Sequence, residues 1–360
     1  MLKDKIAVIG GYGNVGRIIS IELGNKFPGK VICAGRNYNK AEQLSKETQQ
    51  KVLPMQLDVS KENIDMSLLN DVSLVVMCID QGNTNFVKTV LSKGINYIDI
   101  TASYDFLSQI EELDEYAKQT NTTAVLSVGL SPGLTNIFAK HCKAKFDKLH
   151  SIDIFVMLGM GDRHGEAVLI WWLKKLNEKY SILQNGKEKI VKNLDPGKKT
   201  VFPDKIGKRK AYYFNYADQH AIAKTLNIDS AATFNLVDSK LMTWSLAFLQ
   251  KIGYFKLQKF KIFNKLTLSL LKRMHFGSDK YIIKVDAKGE INNQVSSYEC
   301  FVKGYGEGTG TGIAAAKTAE EIYNAKELPK GVFHLDQLFE PVNFINKLNK
   351  LEKSGLVIHY

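Results

Sequence analysis

The feature that most constrains the fold is a glycine-rich turn close to the start of the 360-residue chain. An apolar run, Ile6–Ile9, has the length of a buried parallel strand, and a helical apolar pattern follows the turn through Leu23. The glycines between them have the spacing Gly11-x-Gly13-x-x-Gly16. We predict that Gly11 makes a tight turn, Gly13 lets the backbone approach a pyrophosphate, and Gly16 lets helix and strand pack closely. The free N–H groups at the helix N-terminus would bind the phosphates.

Five further apolar runs continue this pattern and alternate with helical segments. The predicted strands are 31–34, 52–59, 72–79, 97–101 and 124–128, and the predicted helices between them are 41–49, 84–93 and 106–119. Short strands that alternate with helices predict an α/β fold, with a Rossmann-type doubly wound parallel sheet in residues 1–130. A bound dinucleotide then lies across the carboxyl ends of the strands.

The end of the second strand predicts which dinucleotide is bound. An acidic residue there accepts hydrogen bonds from a ribose 2′-hydroxyl, whereas an arginine binds a 2′-phosphate. Because Arg36 follows Gly35, the sequence favours NADP over NAD, unless Arg36 is an ordinary surface residue. Asp58, at the end of the third strand, has two open interpretations, a contact to the adenine amino group or a cap for the next helix.

Loops after the later strands complete the predicted cofactor edge. In the loop that begins at Gly129, Ser131 is the expected N-cap of a helix with Pro132 at its first position. The residues predicted to contact the cofactor are Gly11, Tyr12, Gly13, Asn14, Val15, Gly16, Gly35, Arg36, Asn37, Asp58, Cys78, Ile79, Thr101, Ser131 and Gly133. We predict no metal site, because the four cysteines are scattered singly, as core thiols would be.

The composition changes after His150 and predicts a second domain over residues 131–310. β-type segments occur at 151–157, 187–193, 200–202, 211–215, 231–237, 280–288 and 294–303, with helices near 166–180 and 217–226 and a long helical tract at 240–275. This order predicts an α+β domain on a mostly antiparallel or mixed sheet. Gly304–Gly312 is interpreted as a flexible hinge before a helix at 313–323, and residues 311–360 as C-terminal helices that pack back on the first domain.

Candidates for substrate binding and proton transfer lie in two places. Asp162, Arg163 and His164 follow a strand and stand between glycines. His164 titrates near neutrality and can exchange a proton, and Arg163 can clamp a substrate carboxylate. The alternative is a turn in which Asp162 caps a helix and His164 is a surface residue. Tyr104 follows the fifth strand and is predicted to contact the nicotinamide or donate a proton, with core packing as the alternative.

The net charge of +12 suggests binding to anions, but the basic residues are spread along the chain. Because we find no nucleic-acid-binding motif, we predict no nucleic-acid partner. The apolar and basic segment 242–274 has helical spacing, for which a homodimer or domain face is favoured and a membrane surface or lipid substrate is the alternative. The first residues lack an apolar signal region and no apolar run approaches the length of a membrane span, which predicts a cytoplasmic protein.

Several segments, in their order and spacing, resemble the saccharopine dehydrogenase family of NAD(P)-dependent oxidoreductases. They are Gly10–Gly16, Ala34–Arg36, Asp99–Tyr104, Gly129–Gly133 with Asn136, and Thr311–Ala316 with Gly331 and Val332. The resemblance implies a Rossmann domain, a discontinuous second domain that carries substrate binding and often dimerisation, and hydride transfer at a carbon attached to nitrogen in an amino acid. Saccharopine-forming members carry an acidic residue where this chain has Ser131, whereas lysine 6-dehydrogenase-like members carry a small residue there.

From these features we predict an NADP-dependent oxidoreductase that acts on an amino-acid or imine substrate. Two alternatives stay open. Another branch of the family resembles enoyl reductases acting on lipid chains, which the segment 242–274 would favour. The other alternative is a non-catalytic NADP-binding regulatory protein.

Overall fold

The chain divides into two compact units. The computed structural model describes residues 3–61, 64–162, 165–273, 276–350 and 356–360. The first unit consists of Met1–Leu134 and Thr311–Phe339, and the second of Thr135–Gly310 and Glu340–Tyr360. Each unit is therefore built from two separate stretches of sequence.

The first unit begins with strands and helices in alternation. Its strands are β1 (Lys5–Ile9), β2 (Val31–Gly35), β3 (Val52–Gln56), β4 (Val72–Met77), β5 (Asn96–Asp99) and β6 (Thr123–Leu126). The helices between them are α1 (Asn14–Lys26), α2 (Tyr38–Glu47), α3 (Asn85–Ser92), α4 (Tyr104–Glu111) and α5 (Asp114–Gln119).

The second unit follows with a different order of elements. Its helices up to residue 310 are α6 (Thr135–Lys143), α7 (Glu166–Lys175), α8 (Asp218–Thr225), α9 (Lys240–Lys251) and α10 (Lys261–Arg273). Its strands are β7 (Lys148–Leu158), β8 (Lys179–Gln184), β9 (Lys187–Lys192), β10 (Gly197–Phe202), β11 (Gly207–Tyr213), β12 (Ala231–Val237), β13 (Lys280–Ile291) and β14 (Gln294–Tyr305). The chain ends with α11 (Glu307–Asn324), β15 (Gly331–His334), α12 (Leu335–Leu338), α13 (Pro341–Asn349) and β16 (Val357–His359).

The sheet of the first unit is parallel throughout, with the strand order β15-β6-β5-β4-β1-β2-β3. Strands β2 and β6 are buried along their whole lengths, as expected when helices cover both faces of a parallel sheet. The predicted Rossmann-type doubly wound sheet is confirmed. The sequence missed one strand of it, β15, which comes from the far end of the chain.

The sheet of the second unit is mixed, with the strand order β10-β11-β12-β7-β13-β14-β16, and off this path β8 pairs with β12 and β9 pairs with β8. The pair β7 and β12 is parallel, and the other pairs are antiparallel. One face carries a buried aromatic cluster in which the Phe234 ring stacks on Phe155 and Tyr213, with centroids 5.2 and 4.6 Å apart. The predicted α+β domain on a mostly antiparallel or mixed sheet is confirmed.

The helical tract predicted from Lys240 to His275 is interrupted in the structure. Gly253 has a φ of +78°, a left-handed conformation that ends a helix, and Tyr254–Lys259 then form a 3₁₀ turn before α10. The last two residues of the predicted tract, 274 and 275, lie outside the described residues.

The interpretation of Gly304–Gly312 as a flexible hinge is wrong. Strand β14 continues to Tyr305, and α11 begins at Glu307 and includes the last glycines of the stretch. A Cβ at Gly312 would lie 2.7 Å from Cγ2 of Ile18, so glycine at this position allows α11 to pack closely against α1.

The C-terminal segment also differs from its prediction as helices on the first domain. β15 joins the first sheet beside β6, whereas Glu340–Tyr360 group with the second unit, in which β16 pairs with β14. The stretch of the first unit that begins at Thr311 therefore ends at Phe339.

No helix in the described ranges is both long and apolar enough to cross a membrane. Nor does the described part of the chain contain a group of three His, Cys, Asp or Glu side chains that could hold a metal ion. Cys33, Cys142 and Cys300 are buried, and Cys78 is half-buried.

Candidate functional site

The glycine turn after β1 has no room for side chains at two of its positions. A Cβ at Gly16 would lie 2.2 Å from the Gly10 carbonyl oxygen, and one at Gly11 would lie 2.8 Å from the Val8 carbonyl oxygen. Gly10 itself has a φ of +77°, and its carbonyl accepts a hydrogen bond from the Gly13 N–H. The backbone is thus folded tightly onto the end of β1, as a close approach to a ligand requires.

The N-terminus of α1 lies at the exposed side of this turn. Its N-cap is Gly13, which supplies no side-chain hydrogen bond to the first turn of the helix. Gly13 and Asn14 are exposed, and Val15 is half-buried. The unpaired N–H groups and the helix dipole give this end a partial positive charge, which suits a phosphate.

Tyr12 links the glycine turn to the end of β2. Its ring covers Gly35, where a Cβ would come within 2.6 Å of the ring, and its hydroxyl accepts a hydrogen bond from the Asn37 N–H. Asn37 also caps α2 by accepting from the Lys40 N–H. Arg36 lies between Gly35 and Asn37, and its side chain is exposed. The predicted cofactor-specifying arginine is therefore held on a rigid turn beside the glycine loop.

Asp58, which follows β3, makes a local turn. One of its carboxylate oxygens accepts hydrogen bonds from the backbone N–H and the hydroxyl of Ser60, at 3.1 and 2.6 Å. These bonds lower the pKa of the exposed Asp58 carboxyl. Within the described residues Asp58 forms this local turn and caps no α-helix, and its contact to adenine stays a prediction.

The parallel register brings the other predicted cofactor residues to the same edge. Ile9 pairs with both Ala34 and Met77, and Met77 pairs with Asp99. The residues that directly follow β1, β2, β4, β5 and β6 form what we call the carboxyl edge. Cys78 and Ile79 lie on it, with the Cys78 N–H bonded to the Ile9 carbonyl and Ile79 unusually exposed for an isoleucine, at 41%.

A buried acid that was not among the predicted site residues lies at this edge. Asp99 accepts hydrogen bonds from the Tyr97 hydroxyl at 2.6 Å and from the Thr101 N–H at 2.8 Å. Burial nevertheless raises its pKa to about 6, against the lowering effect of these two bonds, and nearby Asp80 adds to the increase. Asp99 thus changes its charge much closer to neutrality than an exposed aspartate does. The signal that could have identified Asp99 is the presence of an acidic residue within the apolar run 97–101.

The loop after β6 differs from its prediction. Ser131 is not a helix N-cap and Pro132 is not the first helical residue, because both have extended backbone and Gly133 has a φ of +137°. The peptide bond between Ser131 and Pro132 is cis, and α6 begins only at Thr135. Gly133 is buried and Ser131 half-buried. The loop therefore places an irregular turn at the carboxyl edge, and no helix begins at Ser131.

Tyr104 is the first residue of α4 and takes part in a chain of hydrogen bonds. Its hydroxyl donates to one carboxylate oxygen of Glu111 at 3.2 Å, and the other oxygen lies 3.0 Å from Nε2 of His334. Nδ1 of His334 lies 2.7 Å from the hydroxyl of Ser127, and both of these residues are buried. With the proton on Nε2, the imidazole donates to Glu111 and accepts from Ser127. Nothing in the sequence indicated this chain, because Ser127 and His334 are 207 residues apart.

Of the three residues of the second unit that were predicted to bind substrate or transfer a proton, the structure describes one, Asp162. Arg163 and His164 lie outside the described residues. Asp162 accepts a hydrogen bond from the Glu307 N–H at 2.7 Å and so caps α11 instead of the helix next to it in sequence. Two glycines beside Asp162 approach the backbone near Ser278, since a Cβ at Gly159 would lie 2.2 Å from the Ser278 carbonyl oxygen.

Asp162 belongs to a cluster of acids and aromatic residues in the second unit. Burial, with the Glu307 and Asp162 carboxylates as further causes, raises the pKa of Tyr281. Burial and Glu307 also raise the pKa of Tyr216, whose hydroxyl accepts a hydrogen bond from Asn235. The Tyr216 ring packs against Trp171 with centroids 5.5 Å apart. Sequence reasoning found Asp162 but not its neighbours, which come from three distant segments.

The parallel sheet with a glycine turn after its first strand is a Rossmann-type fold. The structure of the chain is similar to that of saccharopine dehydrogenase (L-Glu forming) from Saccharomyces cerevisiae. The alignment covers 99% of this chain and 100% of that chain, with a TM-score of 0.68 and 14% identity. The predicted resemblance to saccharopine dehydrogenases is thereby confirmed at the level of the fold.

Other similarities are weaker. A DAP dehydrogenase of C. glutamicum in complex with DAP aligns over 98% of this chain and 100% of its own, with a TM-score of 0.48 and 12% identity. In sequence, a carboxynorspermidine synthase of Vibrio cholerae serotype O1 is 25% identical over 182 residues, a match that spans 43% of this chain and 43% of that protein. No family model matches the sequence.

Proposed function

We propose that the protein is an NADP-dependent oxidoreductase of the saccharopine dehydrogenase type, which transfers a hydride at a carbon–nitrogen centre of an amino-acid or imine substrate. The observation that carries the proposal is the glycine turn, whose uncapped helix N-terminus lies at the same sheet edge as the exposed Arg36. A bound nicotinamide dinucleotide supplies the hydride chemistry. The chain has to hold that cofactor, orient the substrate and handle a proton.

The residues of the carboxyl edge fit such a cofactor. Gly11 and Gly16 let the turn fold tightly, the exposed Gly13 leaves its backbone accessible, and the first N–H groups of α1 suit a pyrophosphate. The guanidinium of Arg36 suits a 2′-phosphate, which it can bind through two hydrogen bonds. Ile79 offers an exposed apolar side chain against which a ring can pack.

The acidic and aromatic cluster of the second unit supports an amine-containing substrate. Asp162 and Glu307 provide negative charge, and the half-buried Trp171, which packs on Tyr216, provides an aromatic face. Carboxylates and aromatic rings together favour an ammonium group. The names of two relatives, a saccharopine dehydrogenase and a carboxynorspermidine synthase, agree with this substrate class.

We assign the handling of a proton to the chain from Tyr104 to Ser127. Tyr104 is the member placed at the start of α4, where it can exchange a proton with a substrate. Glu111 and His334 are positioning residues, since they orient the tyrosine hydroxyl and set the charge behind it. The buried Ser127 fixes the second ring nitrogen of His334.

The cofactor assignment is tested by calorimetric titration with NADPH and NADH. Arg36→Ala should weaken NADPH binding by roughly 10- to 100-fold, since a hydrogen bond to a charged group contributes about 1.5 to 3 kcal/mol, and should leave NADH binding nearly unchanged. The matched control is Arg17→Ala, whose arginine pairs with Glu47, and it should not change the ratio of the two affinities. Equal loss for both nucleotides with Arg36→Ala would rule out the 2′-phosphate contact.

The reaction is tested by adding amino acids, imino acids and enones to the NADPH-bound or NADP-bound protein and following absorbance of the reduced cofactor. Tyr104→Phe should lower kcat by roughly 100-fold or more with NADPH affinity unchanged, because the ring is kept and only the hydroxyl is lost. His334→Asn should shift the pH profile of kcat. Turnover of enones alone would favour a lipid-chain reductase, and nucleotide binding without any turnover would favour a regulatory protein.

A further inference from the structure

The segment Lys240–Arg273, which we call the basic apolar tract, has an unusual composition. It contains no aspartate or glutamate. Its basic residues are Lys240, Lys251, Lys256, Lys259, Lys261, Lys265, Lys272 and Arg273. Eight positive charges within this one segment are a large share of the +12 of the whole chain. The tract therefore carries positive charge that no acidic residue within the segment offsets.

The first helix of the tract turns its polar side inwards. The residues of α9 that are buried are Thr243, Ala247 and Gln250. The Thr243 hydroxyl donates to the Val237 carbonyl at 3.1 Å, and the Gln250 amide donates to the Asn193 carbonyl at 3.0 Å. These bonds satisfy polar groups inside the second unit and fix the orientation of the helix.

The opposite side of α9 carries its large apolar residues. Leu241, Trp244, Phe248 and Ile252 are spaced three or four residues apart and form one stripe along the helix. Leu241 is 72% exposed and Trp244 is 56% exposed. The Trp244 and Phe248 rings stack on each other, with centroids 5.3 Å apart, on this exposed side. The stripe thus lacks a covering surface among the residues that the structure describes.

The exposed apolar surface continues through the rest of the tract. Its further members, each more than a third exposed, are Tyr254, Leu257, Phe260, Ile262 and Leu266. Lysines stand among them, and the Lys259 ammonium lies 5.0 Å from the centroid of the Phe260 ring. The surface therefore combines aromatic rings, aliphatic side chains and ammonium groups over two helices and the turn between them.

We propose that the basic apolar tract binds the surface of an anionic lipid bilayer, with its helices lying in the plane of the interface. Helices of this kind place their apolar side chains at the boundary between headgroups and acyl chains, while lysines pair with anionic headgroups. The net positive charge also decides between a bilayer and a second copy of this chain. Two copies joined through the tract would bring eight positive charges against eight, whereas an anionic surface neutralises them.

The proposal goes beyond the oxidoreductase function and does not depend on it. The test is sedimentation of the full-length protein with phosphatidylcholine vesicles, with and without phosphatidylglycerol. We expect binding only to vesicles that contain phosphatidylglycerol, with loss of binding at high salt because added ions screen the attraction. The fluorescence emission of Trp244 should shift to shorter wavelengths when the vesicles are added, because its exposed indole enters an apolar environment. Binding to both vesicle types alike, or to neither, would overturn the proposal.

Two variants with matched controls locate the binding. The triple variant Lys256→Glu, Lys259→Glu and Lys261→Glu should lower the partition coefficient by roughly a hundredfold or more. Its control carries the same change in charge on exposed lysines of β9 and β11, Lys187→Glu, Lys189→Glu and Lys208→Glu, and should retain most of the binding. In the same way, Trp244→Ser with Phe248→Ser should lose binding, whereas Ile190→Ser with Val295→Ser, on other exposed strands, should keep it.

Light scattering and NADPH titration complete the test. A monomeric protein that binds vesicles supports the proposal. A wild-type dimer that becomes monomeric in the variant Trp244→Ser with Phe248→Ser would overturn it in favour of a second copy. Urea unfolding of every variant shows whether it is folded. Lost vesicle binding in a folded variant concerns the tract alone, whereas lack of NADPH binding in the wild type concerns only the proposed function.

Discussion

The chain contains two glycine-rich stretches, Gly10–Gly16 and Gly304–Gly312, and each joins a strand to a long helix. The helix after the first stretch has a glycine N-cap and no side-chain cap, so its N–H groups are available to an anion. The first N–H of the helix after the second stretch donates to the Asp162 carboxylate. A carboxylate of the protein thus already occupies the position that a phosphate would take. What distinguishes a candidate phosphate site from a structural junction is whether the N–H groups at the helix N-terminus already have an acceptor in the protein, and not the number of glycines.

The reason for glycine also differs between the two stretches. A Cβ at Gly16 would collide with the backbone of the turn itself, 2.2 Å from the Gly10 carbonyl oxygen. A Cβ at Gly312 would instead meet the side chain of Ile18 at 2.7 Å. Two packed helices can separate slightly to make room for a Cβ, but the backbone of a tight turn cannot give way without opening the turn.

The largest effect is expected from Gly16→Ala. The clash with the Gly10 carbonyl should displace the turn from α1, lower the free energy of unfolding by about 3 kcal/mol and weaken NADPH binding by roughly a hundredfold. Urea unfolding and calorimetric titration measure the two quantities.

Gly312→Ala is the matched control for this substitution. Because the new Cβ would lie 2.8 Å from Cβ and 2.7 Å from Cγ2 of Ile18, α11 has to shift away from α1, and we expect a loss of about 2 kcal/mol in stability and unchanged NADPH affinity. If both alanines reduced NADPH affinity equally, the distinction between the two stretches would be lost.

The second prediction concerns Asp99, the buried acid at the carboxyl edge of the first sheet. The folded-state pKa of Asp99 is raised from 3.8 to about 6, so the stability contributed by its neutral form is complete below pH 4 and is lost as the pH rises through 6. Asp99→Asn removes this dependence. The variant should gain about 2 to 3 kcal/mol relative to the wild type between pH 4 and pH 6, and nothing further above that range. Urea unfolding at a series of pH values measures the difference.

Asp58→Asn is a control for which the pH dependence of stability should have the opposite sign. The pKa of Asp58 is lowered in the folded state, so its ionised form stabilises the fold and this contribution is lost only as the pH falls. The variant should therefore lose stability relative to the wild type as the pH rises. A difference between Asp99→Asn and the wild type that is independent of pH would show that Asp99 does not titrate in this range.

The smallest effect is expected at the cap of the second stretch. Asp162→Ala leaves the Glu307 N–H without its acceptor and should cost about 1 kcal/mol, whereas Asp162→Asn keeps an acceptor and should recover most of it. NADPH affinity should be the same in both variants and in the wild type. A gain in NADPH or phosphate binding at the uncapped helix of Asp162→Ala would mean that the second stretch is a latent anion site.

The sequence predicted the parts of the fold that depend on local patterns. The first strand and the glycine turn are neighbours in sequence, and Arg36 follows the next strand of the same βαβ unit, so short-range patterns predict where they lie. The order of the later strands followed from their apolar runs and from the rule that parallel strands are joined by covering helices.

The parts that the sequence did not predict depend on residues far apart in the chain. The hinge at Gly304–Gly312 was inferred from composition, but Ile18 and Asp162 determine that this stretch continues into a helix. Ser131 was expected to cap a helix because serine is a favoured N-cap and proline a favoured first helical residue, whereas Gly133 adopts a φ of +137° that no helix contains. His334 could not be paired with Ser127 until the seventh strand was seen.

That seventh strand has a consequence for the order in which the chain folds. Until β15 is synthesised, β6 is an edge strand whose residues, Thr123–Leu126, are all buried in the finished sheet. An apolar edge strand readily pairs with strands of other chains. The nascent protein must therefore carry this unprotected edge through the synthesis of nearly the whole second unit. The yield of folded protein should therefore depend more on how well β6 is shielded, by a chaperone or by transient contacts, than on the stability of the finished fold.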